Sequence, residues 1–296
     1  MTAAPATVAE ALQKVTAALA KAKVREPRRE ARLLLAIATA TPPLTLLTEP
    51  ERCISANTWA AVERAVDRRS LGEPISRIAG QRGFWSLDLT ISPAVLDPRP
   101  ETELLIERVL AHLGESRGEP LQLLDLGTGS GCLLLALLSE LPQAIGVGVD
   151  CSPAALAVAS ANAAQCGLAD RALWVAADWA RPIRGRFDVI VANPPYIPAG
   201  ALATLDRSVR AHDPASALDG GPDGLSEYRQ ILPMLPELLK QSGIACLEVG
   251  RGQAAIVAAN ASALGFAATI HKDFAEIDRC VALTLEKYAC IAPQCR

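Results

Sequence analysis

The stretch LQLLDLGTGSGCLLLALLSEL, residues 121–141, decides the fold. Leu121 to Leu126 reads as a buried strand, Gly127 to Gly131 as a tight glycine-rich turn, and Cys132 to Leu141 as an apolar helix. A strand with no polar alternation belongs in a parallel sheet covered on both faces. Asp125 is the one charge in that run and stands near its end. The glycines allow a sharp turn and close approach of the backbone to a ligand.

Outward from this unit the same alternation repeats. AIGVGVD (144–150) reads as a strand, SPAALAVASANAAQCG (152–167) as a helix, and ALWVAAD (172–178) and FDVIVAN (187–193) as strands. GIACLEVG (243–250) and CVALTLEK (280–287) supply further strands, with helices expected over Glu227–Lys240 and Gln253–Leu264. Strand-helix alternation predicts an α/β, Rossmann-like domain with a mostly parallel sheet and helices on both faces.

The front of the chain has a different period. Thr7 is placed to cap a helix carrying Val8, Leu12, Val15 and Leu19, and further helices are expected over Pro27–Ala40 and Asn57–Ser70. Residues 1–72 therefore read as a small all-helical domain. Alternating residues over Phe84–Ile91 then read as a β-hairpin, giving a linker over 73–97, a large domain over 98–290 and a tail over 291–296. Glu101–Leu113 is amphipathic, and Glu101 and Glu103 suit the first turn of that helix.

Composition excludes several classes. Half the residues are apolar, 21% are charged and the net charge is −3, as for an ordinary globular protein without a nucleic-acid footprint. Residues 1–72 carry eleven Lys/Arg against seven Asp/Glu, so this part is +4 and the remainder −7. The eight cysteines form no CxxC pair and no zinc spacing, and they read as reduced thiols of a cytoplasmic protein. Cys132, Cys151, Cys166 and Cys246 stand in apolar contexts that predict burial. The N-terminus lacks the pattern of a signal peptide, and no apolar run has the length of a membrane span. With three scattered histidines, a metal site is not expected.

Asp150 follows Asp125 by twenty-five residues and ends the next strand, where a carboxylate can accept from a ribose diol. Both a nicotinamide dinucleotide and S-adenosylmethionine fit to that point. GTGSG lacks the third glycine of GxGxxG, and Asp125 suits a ligand's amino-acid end better than a pyrophosphate. Asp178 can accept from an adenine amino group and Trp179 can stack on the ring. Asp125, Gly127, Thr128, Gly129, Ser130, Gly131, Asp150, Asp178 and Trp179 are thus the expected S-adenosylmethionine contacts. The fourth strand ends in Asn193-Pro194-Pro195-Tyr196. Two prolines stiffen the chain where it leaves the sheet, with an amide at one end and an aromatic ring at the other.

With these motifs in place, the chain resembles the class I S-adenosylmethionine-dependent methyltransferases. Within them it resembles the release factor glutamine methyltransferases, the PrmC/HemK family. The resemblance spans the helical front, PRPETE (98–103), DLGTGSG, Asp150, Asp178-Trp179, NPPYI, VRAHDPASALDGG (209–221), DGLSEYRQI (223–231) and LEVGRGQA (247–254). Asp213 stands where the family usually has Glu. The resemblance implies a seven-stranded sheet and methylation of the glutamine amide nitrogen in the Gly-Gly-Gln motif of class 1 peptide chain release factors. It further implies that the Asn193 side-chain oxygen and the Pro194 carbonyl accept from the target amide. Tyr196 would stack on that amide, Pro195 would stiffen the substrate clamp, and Asn193 would also border the cofactor. The helical domain would grip the protein substrate, and the enzyme is expected to be a monomer with no nucleic-acid or membrane partner. The rival activity is methylation of an exocyclic amino group, adenine in DNA or guanine in rRNA, which uses the same four-residue motif; the acidic balance of residues 73–296 argues against it.

Overall fold

The computed structural model describes residues 6–286; the expected tail, Cys290 and Cys295 lie outside them. Contacts divide the chain into two units. One comprises residues up to Gln81 together with Asp206–His212, and the other Arg82–Leu205 with Asp213 onward.

The first unit holds α1 (Val8–Lys21), α2 (Pro27–Thr39), α3 (Pro43–Thr48), α4 (Ala56–Ser70) and α5 (Ile75–Ala79). The Thr7 hydroxyl accepts from the Glu10 amide, as its sequence position predicts. Val8, Val15 and Leu19 of α1 meet Leu34 and Leu35 of α2 and Trp59 and Val62 of α4 in one apolar core. Residues 74–79, expected to begin the linker, instead form a helical turn stopped by Gly80 in the left-handed region. A short return segment, Asp206–His212, belongs to this unit, and its Arg207 side chain lies beside Gly72.

A two-stranded sheet follows, β1 (Gln81–Phe84) and β2 (Leu87–Thr90), which from Arg82 onward belongs to the second unit. The turn falls at Trp85-Ser86, near the front of the stretch that reads as a hairpin, so its strands are Gln81–Phe84 and Leu87–Thr90. Trp85 has φ 55°, its amide donates to Glu103 and its indole N–H donates to Glu140 at 2.7 Å. After α6 (Glu103–Leu113) come β3 (Gln122–Leu126), α7 (Cys132–Glu140), β4 (Ile145–Asp150), α8 (Pro153–Gln165), β5 (Ala172–Ala176) and β6 (Phe187–Ala192). The chain continues through α9 (Arg207–Arg210), α10 (Ser226–Ile231), α11 (Leu235–Leu238), β7 (Leu239–Glu248), α12 (Ala254–Ser262), β8 (Phe266–Lys272) and β9 (Asp278–Leu285).

Seven strands form one sheet in the order β5-β4-β3-β6-β7-β9-β8. β3 to β7 are parallel, and β9 is antiparallel to both neighbours. Alternate strand residues feed two cores: Leu123, Val189, Val191 and Cys246 face one layer of helices, and Leu124, Leu126, Ile190 and Leu247 the other. The seven-stranded, mostly parallel sheet is as expected. The helix expected over Glu227–Lys240 ends at Leu238, because Pro233 and Pro236 break it into short turns and β7 starts at Leu239. Cys246 is buried, but Cys151 is exposed because it follows β4 out of the sheet.

Candidate active site

Strand order places the site. β3 lies between β4 and β6, so the chain runs one way from β3 to β5 and returns on the other side with β6. The crevice at such a reversal, outside the strand C-termini, is where open α/β sheets bind ligands. Leu126 is level with Ala192, Asp150 with Ala176, and Ala192 with Leu247. The glycine loop, Asp150, Asn193 and Glu248 therefore share one sheet edge. A cavity of ≈ 260 Å³ opens there, lined by the glycine loop, Asp125, Asp150, Asp178, Trp179, Asn193, Pro195 and an apolar wall that includes Val95, Leu96 and Leu133.

The loop is tied down from both sides. Gly127 and Thr128 amides donate to the Val149 carbonyl, and the Gly129 amide donates to Asp150 Oδ2 at 2.9 Å. Asp150 Oδ1 accepts from the Ser152 amide, so this carboxylate joins loop and strand. At Gly127 a side chain would be strained by the φ of 74°, and its Cβ would press on the Trp179 ring at 3.2 Å. Trp179 is itself at φ 50° and donates its indole N–H to Glu227 at 2.9 Å. Its ring edge thus lies over the loop. The Asp178 carboxylate is exposed at the cavity rim and pairs with Arg181 at 3.1 Å.

Among the described residues, two buried polar atoms in this cradle make no hydrogen bond: Asp125 Oδ1 and Ser130 Oγ. Thr128 Oγ1 donates to the other Asp125 oxygen at 2.6 Å. Burial pushes the Asp125 carboxyl up to about 7, opposed by the Thr128 hydrogen bond. A dehydrated, half-satisfied acid beside an empty-handed hydroxyl suits a ligand with a cationic, donor-bearing end. Polar on the loop side and apolar opposite, the cavity fits the amino-acid and nucleoside parts of S-adenosylmethionine.

The second half of the site surrounds Asn193–Tyr196. Asn193 Nδ2 lies 3.2 Å from Thr102 Oγ1, Thr102 Oγ1 lies 2.5 Å from Glu248 Oε2, and the Tyr196 hydroxyl donates to Glu248 Oε1 at 3.2 Å. Both ends of the motif thus converge on one buried carboxylate. The Tyr196 carbonyl accepts from Gln253 Nε2 at 2.9 Å, and the Ile197 amide donates to Leu218. A Cβ on Gly220 would fall 2.8 Å from the Pro195 carbonyl oxygen, so only glycine lets the 218–221 loop lie against the motif. Among the described residues, no donor reaches the Pro194 carbonyl or Asn193 Oδ1. Asp213 is buried and accepts from Arg99 at 2.6 Å and from the Asp97 amide at 3.3 Å.

Models of two known families match: the PrmC N-terminal domain over residues 10–80 and the methyltransferase small domain over residues 92–210. The release factor glutamine methyltransferase of Rhodospirillum rubrum is 45% identical over 88% of this chain and 79% of its own. The protein of that name from Moorella thermoacetica is 41% identical over 93% of this chain and 97% of its own. The chain belongs to the release factor glutamine methyltransferase family. In fold this family member is also similar to the catalytic domain of human METTL16, solved in complex with the MAT2A 3'UTR hairpin 6. That likeness has a TM-score of 0.56 at 16% identity and covers 69% of this chain and 77% of that one.

For this methyltransferase, the expected cofactor residues and Asn193–Tyr196 all lie along the one sheet edge. Four residues of the site have no role expected from sequence, although Thr102, Glu227 and Glu248 fall within stretches that carry the resemblance. Thr102 and Glu248 complete the hydrogen-bonded path, and Glu227 holds Trp179. Asn162 is the fourth, fully buried on α8 in an alanine-rich stretch, and a lone amide among alanines was the available signal. It accepts from the Thr90 amide at 2.8 Å and donates to the carbonyls of Thr90 and Ser130. Asn162→Ala leaves those three backbone groups unpaired. The expected loss in urea unfolding is about 2–3 kcal/mol.

Proposed function

We propose that the protein transfers the methyl group of S-adenosylmethionine to the side-chain amide nitrogen of the glutamine in the Gly-Gly-Gln motif of class 1 release factors. The cofactor supplies an activated methyl sulfonium. An amide nitrogen is a poor nucleophile because its lone pair is delocalised, so the protein must supply alignment and charge stabilisation. Asn193 Oδ1 and the Pro194 carbonyl accept the two N–H groups of the target amide. They hold its nitrogen in line with the methyl group and stabilise the positive charge that develops there. Tyr196 packs on the planar amide and excludes water, and Pro195 keeps the two acceptors in fixed geometry at little entropic cost. As the N–C bond forms and the S–C bond breaks, the nitrogen loses a proton to water. An N-methylated amide cation is acidic enough to need no dedicated base.

Asp125, Gly127, Thr128, Gly129, Ser130, Gly131, Asp150, Asp178 and Trp179 hold the cofactor, with Asn193 between it and the substrate. The helical unit recognises the protein substrate, and the enzyme acts as a cytoplasmic monomer. The observation that carries this reading is that, among the described residues, Asn193 Oδ1 and the Pro194 carbonyl accept no hydrogen bond and share a sheet edge with a cradle whose buried Asp125 Oδ1 also accepts none. Protein incubated with labelled methyl donor should label a class 1 release factor and leave its Gln→Ala variant unlabelled. Equal labelling of DNA or rRNA would sink the assignment.

A further inference from the structure

We propose that Glu248 is a positioning residue that sets the direction of the hydrogen bonds running through Thr102 to Asn193, and so turns the Asn193 carbonyl oxygen toward the substrate amide. This inference rests on the methyl-transfer reading above. Glu248 ends β7 level with the start of the Asn193 motif and is 1% exposed. A carboxylate only accepts. Its Oε2 accepts from the Thr102 hydroxyl at 2.5 Å, and its Oε1 accepts from the Tyr196 hydroxyl at 3.2 Å. Thr102 Oγ1 then has only lone pairs to offer Asn193. The amide must answer with Nδ2, at 3.2 Å, and Oδ1 is left to face the cleft.

The logic reverses if Glu248 is a donor. A proton on Oε2 would point at Thr102, whose own proton would turn toward Asn193. The side chain would then rotate to present Nδ2 to the substrate, where two N–H donors would face each other. Tyr228 stiffens the arrangement from α10 by donating its hydroxyl to the Glu248 carbonyl at 2.7 Å.

The surroundings make this carboxyl sensitive to pH. Burial pushes it up to about 7, while the hydrogen bonds from Thr102 and Tyr196 and the charge of Arg279 on β9 pull the other way. Glu101, ahead of α6, raises it further. Arg99 acts on Tyr196, the half-buried Cys132 thiol on α7 lies within the field of Glu248, and Tyr228 faces it from α10. Both tyrosines and Cys132 are themselves pushed upward, so they stay neutral while Glu248 titrates.

The test uses the full chain, a class 1 release factor and saturating S-adenosylmethionine, so that titration of Asp125 does not enter kcat. Wild-type kcat should rise with pH through about 7. Glu248→Gln is nearly isosteric but cannot accept from both hydroxyls, so one arm of the clamp reverses. Its kcat should fall about tenfold or more on the alkaline plateau. The step near neutrality should vanish, with cofactor affinity and thermal stability retained. Thr102→Val should show the same fall, and Thr102→Ser should recover much of it. A Glu248→Gln enzyme that keeps both kcat and the pH step overturns the proposal. A second readout needs no turnover. The Asn193 side-chain N–H resonances should shift with a midpoint near 7 in wild type and stay fixed in Glu248→Gln. Resonances that stay fixed in wild type overturn the coupling even if the protein methylates its substrate. Resonances that titrate in a protein that labels no release factor support the coupling and count against the assigned substrate instead.

Discussion

Asn193→Ala is expected to lower kcat about 10²–10³-fold, the cost of removing one preorganised group that stabilises transition-state charge. Cofactor affinity should change far less. The reason lies in where the side chain is held. Asn193 follows β6, beside the glycine loop that follows β3, and among the described residues its side chain is held by Thr102 and by no residue of that loop. Alanine removes the acceptor without disturbing Asp125, Thr128 or Asp150. Quenched-flow methyl transfer and calorimetric titration of cofactor separate the two effects. If cofactor binding disappears with turnover, Asn193 is part of the cradle and not of the clamp.

The second large effect is expected at Asp125. Asp125→Asn preserves an acceptor for Thr128 and removes the charge. Cofactor affinity should weaken about 10–100-fold, as for loss of a hydrogen bond to a charged group. Stability of the cofactor-free protein should rise or hold, because a dehydrated carboxylate has been removed. The two changes run in opposite directions, which a general folding defect would not produce.

The pH dependence follows with a definite sign. The Asp125 carboxyl lies at about 7 in the folded chain, above its ordinary 3.8. Such a group favours the folded state below the lower value, and that contribution is lost as pH rises from about 4 to about 7. Cofactor binding demands the charged form. Affinity should therefore weaken as pH falls below about 7, and binding near neutrality should release a proton. Calorimetry in buffers of different ionisation enthalpy measures that release. A pH-independent affinity in wild type would contradict the assignment of Asp125 to the cofactor's cationic end.

The parts of the site visible in sequence are polar residues that end strongly apolar runs. Asp125, Asp150 and Asn193 stand out because each is a carboxylate or amide at or near the end of an apolar run, where the strand leaves the sheet. Thr102 and Glu248 are invisible for the opposite reason. Thr102 reads as a first-turn residue of α6, and Glu248 as an ordinary end to β7. Their meeting depends on a sheet register that brings residues 102, 193 and 248 together from distant parts of the chain. Asn162 is hidden because its partners are backbone groups, which leave no mark on composition. In the fold, β8 is missed because FAATIHK is a half-exposed edge strand with little apolar signal, and the hairpin is legible but not the place of its turn, because a left-handed tryptophan breaks the usual preference for glycine.

The helical unit is not continuous in the chain, since Asp206–His212 completes it. Protein synthesis runs from the N-terminus, and domains ordinarily settle in the order in which they emerge. Here α1 to α5 leave the ribosome while α9, carried on the return segment, has yet to be made. The front of the molecule reaches its full set of contacts only after β3 to β6 have been synthesised. Maturation is therefore not vectorial. The first-made unit of this protein is finished by a segment from its second half.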